Sequence, residues 1–283
     1  MTGGRGSYRD LLRQLLRDPA AVTGLAILLL TTIGAVFAST LSPYSPTDQE
    51  LALRAQAPSL AHPLGLDGVG RDLLSRLLHG ANYTLGSSLA AVTLAMGAGM
   101  CVGLTAGYLG GTPDRLLMRA VDLMLSFPSI VIGILLVTFL SPGLPAAVLA
   151  VGIAGVPGYA RLVRGLTLSI REREFIHAAV ACGAGSVRIV TRHVLPNAIS
   201  TIVVYSSLDI GSAIVRLASL SFLGFGAQPP TPEWGAMLNS AQQWLFIAPH
   251  ISLVPGVAIS LVVLAFNLVG DGLRDALDPR MST

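Results

Sequence analysis

Six stretches of this chain are apolar over close to the length a helix needs to cross a bilayer, about 20 residues. They cover residues 20–41, 82–109, 116–140, 145–163, 198–223 and 250–271. In hydrocarbon every backbone N–H and C=O must find a partner within the protein, so stretches of this kind become helices. Only 12% of the 283 residues are charged, against about 25% in water-soluble domains. The pattern predicts an all-α polytopic membrane protein with six transmembrane helices. Its first stretch is too long for a signal-peptide core and reads as an uncleaved anchor.

The arginines orient the chain. With the N-terminus inside, 14 of the 18 arginines lie inside, Arg54, Arg71 and Arg76 lie outside, and Arg216 falls within a span. Such asymmetry marks the cytoplasmic side, which places both termini there. Arg5, Arg9, Arg13 and Arg17 form a basic stripe, read either as a contact for lipid headgroups or as a solvated tail. The sequence contains no lysine. A Walker A loop requires one to reach the terminal phosphates, so the chain is not a P-loop ATPase. Nothing points to nucleic acid, and the five histidines form no ligand cluster, so no metal site is assigned.

Three local features shape the expected fold. Gly99, Gly103 and Gly107 repeat every four residues and predict close helix–helix contact. Pro128 and Pro157 fall inside the third and fourth spans and should kink or break them. Residues 42–81 read as a polar, proline-bearing external loop leading into a short amphipathic helix. On the second outer segment, Trp234 and Trp244 suit an interfacial aromatic belt, with contact to an external protein as the alternative.

Between the fourth and fifth spans lies "EFIHAAVACGAGSVRIVTRHVLPN", residues 174–197. A short helix is expected over 172–182, with Phe175, Ile176, Ala179 and Val180 on an apolar side. A turn at Gly183 follows, then a second short helix capped by Ser186 and stopped by Pro196. Two short helices at a bend would form a rigid cytoplasmic knob.

That segment resembles the cytoplasmic "EAA" loop in the permease subunits of bacterial ABC importers. The loop has Glu-Ala-Ala, a glycine four residues after the second alanine, and Leu-Pro near its end. Ala178, Ala179, Gly183, Leu195 and Pro196 match, Glu174 opens the segment, and His177 stands at the glutamate position. "HPLGLDGVGRDLLSRLLHGA", "YARLVRGLTLSIREREFI", "SFLGFGAQPPTPEWGAML" and "AFNLVGDGLRDALDPR" resemble the dipeptide, oligopeptide and nickel branch. The resemblance implies the type I importer transmembrane architecture in the inner membrane. It implies a cytoplasmic tail, first helix and external loop over 1–81, the transmembrane domain over 82–271 with its coupling loop at 164–197, and a tail over 272–283. The partners it implies are a second homologous permease subunit, two ATP-binding subunits and an extracytoplasmic substrate-binding protein, within membrane lipid. This chain would then bind no cofactor and catalyse no reaction, because ATP is held by the partner subunits.

Asp209 and Arg216 are the candidate path residues. Charges inside a bilayer face protein or water, so each either lines the path or serves a structural pair. They lie seven residues apart, about 10 Å of helix rise, which argues for a separate partner for each. For the cargo, Leu217 stands where many peptide-type members carry glutamate, and Asp209 in "LDIG" resembles nickel-type members. These two details favour nickel or a nickel chelate over short peptides. A self-contained secondary transporter or channel is the reading from a different class, opposed by the missing inverted repeat and by the docking loop.

Overall fold

The structure is a computed structural model that describes residues 14–277. Arg5, Arg9 and Arg13 of the basic stripe and the end of the expected C-terminal tail lie outside the described residues. The helices are α1 (Pro19–Val36), α2 (Ala38–Leu41), α3 (Leu73–Leu109), α4 (Gly111–Leu125), α5 (Ser129–Leu140), α6 (Leu144–Arg171), α7 (Glu174–Ala181), α8 (Ser186–Ile189), α9 (Leu195–Phe222), α10 (Trp234–Ala241) and α11 (His250–Leu277). No strand occurs among the described residues. Five continuous helical segments are long and apolar enough to cross a membrane, and the bent pair α4–α5 makes the sixth.

Several spans differ from the sequence expectation at their ends. The third is broken: α4 and α5 meet at 93°, across Ser126, Phe127 and Pro128. Proline disfavours helical geometry at the residue before it, and its ring nitrogen has no proton to continue the ladder. Pro128 therefore breaks its span as expected, whereas α6 continues through Pro157. The second span starts at Leu73, so the amphipathic helix expected before it is the first part of α3 itself. At 37 residues, α3 is about 55 Å long and outreaches a hydrocarbon core of about 30 Å. Asp72 caps its start by accepting from Ser75 N at 2.7 Å.

The glycine repeat has a defined partner. A Cβ on Gly103 would lie 2.6 Å from Ala160 O, and one on Gly107 would lie 2.7 Å from Thr167 Cβ. Gly99 faces Tyr159 in the same way. The stripe therefore seats α3 against the buried face of α6 that carries Tyr159, Ala160, Val163 and Thr167. Any side chain there would wedge the two backbones apart. At the other edge, α1 packs on α11, with Gly24 against Ala265 and Gly272 against Ala21.

Candidate functional site

The cytoplasmic segment is anchored from below. Ile176, Ile189 and Val194 are buried in one cluster with Val163, Ile170, Ala198 and Ile202 from α6 and α9. The expected apolar side of α7 is therefore divided. Ile176 points into the protein at 2% exposure, while Phe175 and Val180 remain 40% and 54% exposed. Glu174, His177 and Ala178 are exposed too, Ala179 is half-buried, and Val187 beyond the turn is 77% exposed. An apolar surface on the cytoplasmic side has no lipid to face, so it is available to another protein.

The bend is made by the backbone. Gly183 has φ +81°, in the left-handed region that glycine adopts without penalty. Its N–H donates to Val180 O at 2.9 Å, and Ala184 N donates to Ala179 O at 3.0 Å. This is the Schellman arrangement, which satisfies the last carbonyls of α7 while reversing the chain. Gly185, not Ser186, occupies the N-cap of the next helix, with an extended backbone and no side-chain cap. Ser186 is already the first helical residue.

Pro196 does not stop that helix, contrary to the sequence reading. Leu195 is half-buried and Pro196 exposed. Both open α9, and the chain is helical without interruption from Ser186 to Phe222. A π-helical turn over Val190–Val194 makes this possible. It widens the helix by one residue just where proline would otherwise clash with the preceding turn. Asn197 Nδ2 donates to His193 O at 2.6 Å, serving one carbonyl of the loosened turn. The knob is thus one short helix plus the cytoplasmic end of a membrane span, so a push on the turn bears on the span directly.

Farther along α9, Arg216 Nη2 donates to Asp209 Oδ1 at 2.8 Å. The expectation of separate partners is overturned. Helical side chains tilt towards the N-terminus, so the long arginine at i+7 reaches back two turns to the carboxylate. The pair cancels two charges within the span, although Arg216 Nε is buried without an acceptor among the described residues. Beside it, Tyr159 and Tyr205 meet edge to face with centroids 4.8 Å apart. Tyr159 donates to Ser206 Oγ at 3.2 Å.

The outer side holds a second polar structure, where the sequence predicts a loop leading into a short amphipathic helix. Arg71 and Arg76 are 7% and 3% exposed. Arg71 Nε donates to Asp67 Oδ2 at 2.7 Å, and Arg76 Nη1 donates to Pro46 O at 2.8 Å. Trp234 is not in an aromatic belt. It is 2% exposed, and its indole N–H donates to Leu77 O at 3.0 Å. Buried Glu233 caps α10 through Gly235 N and Ala236 N and accepts from Thr84 Oγ1 at 3.3 Å. Trp244 is half-buried. The signal for this layer was present in the sequence: arginines on the side that normally lacks them.

The described residues thus form a six-span helical bundle that presents a rigid turn to the cytoplasm and a packed polar layer to the outside. Residues 99–283 match the family described as binding-protein-dependent transport system inner membrane component. Residues 7–58 match the N-terminal transmembrane domain of oligopeptide transport permease C. The chain belongs to this family of inner-membrane ABC importer permeases. It is 46% identical to the glutathione transport system permease protein GsiD of Pectobacterium atrosepticum, over 99% of this chain and 93% of that one. It is 44% identical to the dipeptide transport system permease protein DppC of Alkalihalophilus pseudofirmus, over 98% and 91%. The fold is similar to that of an inward-facing MetNI methionine ABC transporter, with TM-score 0.59 and 22% identity, over 72% of this chain and 97% of that one.

Proposed function

We propose that this chain forms half of a path that carries short peptides, glutathione among them, across the inner membrane. The observation that carries this reading is near full-length similarity to a glutathione permease and a dipeptide permease. The case for nickel rests on Leu217, where many peptide-type members carry glutamate, and on the likeness of Asp209 in "LDIG" to nickel-type members. With Asp209 paired to Arg216 at 2.8 Å, its carboxylate is not free to attract a cation. A second permease subunit would complete the path, and an extracytoplasmic binding protein would deliver the peptide. ATP would be hydrolysed by two separate subunits, each gripping a permease through a segment such as 164–197. Here Glu174, His177, Ala178 and Val187 offer the docking face, and the continuous helix into α9 carries the motion to the membrane.

Asp209 and Arg216 would line the path as a pair that exchanges its internal contact for the ammonium and carboxylate of a passing peptide. The test is uptake in a deletion strain complemented with this chain. Labelled dipeptide and glutathione should enter in an ATP-dependent manner, and radioactive nickel should not. Asp209→Asn should lower peptide uptake by about tenfold or more, since it leaves an unpaired guanidinium inside the bilayer. Nickel uptake restored by the chain without peptide uptake would reverse the reading.

A further inference from the structure

The outer layer encloses a cavity of about 300 Å³, bordered by Arg71, Arg76, Gln49, Gln243 and Trp244, with Met237 and Ile251 on its apolar wall. A smaller cavity beside it also borders both arginines. Their charges are not balanced locally. Asp67 is the acidic residue on the cavity wall, and one carboxylate stands against two guanidinium groups. That carboxylate is occupied: Oδ1 accepts from Val69 N and Arg71 N, and Oδ2 accepts from Arg71 Nε. Asp72 turns to Ser75 and His62, and Glu233 caps α10.

The donors are in excess as well. Arg76 Nε and Trp244 Nε1 are buried without an acceptor among the described residues. Arg76 Nε lies 3.5 Å from Asp67 Oδ2, an ion-pair approach that does not make a hydrogen bond. Among the described residues, the only side-chain hydrogen bond of Arg71 uses its Nε, so its two terminal nitrogens remain available. Unpaired buried donors are costly and need a reason. One net positive charge, surplus N–H groups and an apolar wall together match a single carboxylate on a small organic body.

We propose that this outer cavity is a binding site for the C-terminal carboxylate of a short peptide, separate from the Asp209–Arg216 pair. The volume suits one to two amino-acid residues, whereas an acidic side chain alone would leave most of it unfilled. Arg71 would hold the carboxylate through its terminal nitrogens, Trp244 would add a donor, and Met237 and Ile251 would take the apolar side chain. The identity of the ligand rests on the peptide reading above; the existence of a carboxylate site does not.

The experiment uses the full chain, purified with the subunits it assembles with and placed in lipid nanodiscs. Binding of Gly-Leu, its C-terminal amide and acetate is followed by calorimetry. Gly-Leu should bind, and amidation should weaken it by about tenfold or more, as expected when a charge-assisted hydrogen-bond pair is lost. Arg71→Gln should weaken it by a similar factor. Because Arg71 also holds Asp67, Trp244→Phe serves as the milder variant: it keeps an aromatic ring, removes the donor and should weaken binding several-fold. Equal binding of Gly-Leu and its amide, or unchanged affinity in both variants, would overturn the site. So would protection of the cavity by the binding protein with no binding of free Gly-Leu, because the carboxylate would then belong to that protein. If Gly-Leu binds with the expected discrimination but dipeptide uptake is absent, the site stands and the peptide reading falls.

Discussion

The outer layer and the cytoplasmic turn are built in opposite ways. Outside, Glu233, Thr84, Trp234, Arg76 and Asp67 are buried, and their contacts join segments far apart in sequence, such as Thr84 to Glu233 and Arg76 to Pro46. Inside, the turn at Gly183 is held by two backbone hydrogen bonds, and Phe175, Val180 and Val187 stay exposed. A structure closed by side chains resists deformation at many points. A turn closed by its own backbone holds one shape and leaves its surface free for another protein. The two faces of the subunit thus differ in kind: the outer one ties distant segments of the bundle together, and the inner one is an exposed turn continuous with α9.

Four substitutions test that contrast. Trp234→Ala should have the largest effect on stability, about 3–5 kcal/mol, since it empties a buried indole site and removes the hydrogen bond to Leu77 O. Thermal unfolding in detergent measures it, and a loss under 1 kcal/mol would remove the claim that the outer layer holds the bundle. Gly183→Pro comes next and should abolish uptake. Proline fixes φ near −65° where the chain needs +81°, and it removes the N–H that donates to Val180 O. The protein should still reach the membrane, because no buried side chain is lost, and uptake at the normal rate would contradict the role given to the bend. Thr84→Val removes two buried hydrogen bonds, one donated to Glu233 Oε1 and one accepted from Trp234 N, while Glu233 keeps its backbone donors, so about 1–2 kcal/mol is expected from the same unfolding measurement. His177→Ala should matter least, shifting uptake by less than about twofold. The His177 side chain is exposed and makes no hydrogen bond among the described residues, and surface changes of this kind stay within about 0.5 kcal/mol. A larger drop would mean that His177 itself contacts the ATPase.

The sequence alone determined the helical class, the six crossings and the arginine asymmetry that orients them. Those properties follow from local chemistry: in lipid, backbone groups must be satisfied within their own segment, so apolar length by itself specifies a helix. The glycine repeat and the turn at Gly183 were legible for the same reason, because absence of a side chain is a local fact. What remained hidden depends on which side chains meet. Seven residues of separation suggested two charges out of reach, yet the direction of arginine along a helix brings Arg216 to Asp209 at 2.8 Å. Pro196 looked like a stop, yet a π-helical turn absorbs it. Trp234 looked interfacial until packing placed its N–H on Leu77 O, a residue 157 positions away. Burial is a property of the assembled bundle, and no window of sequence contains both halves of such a contact.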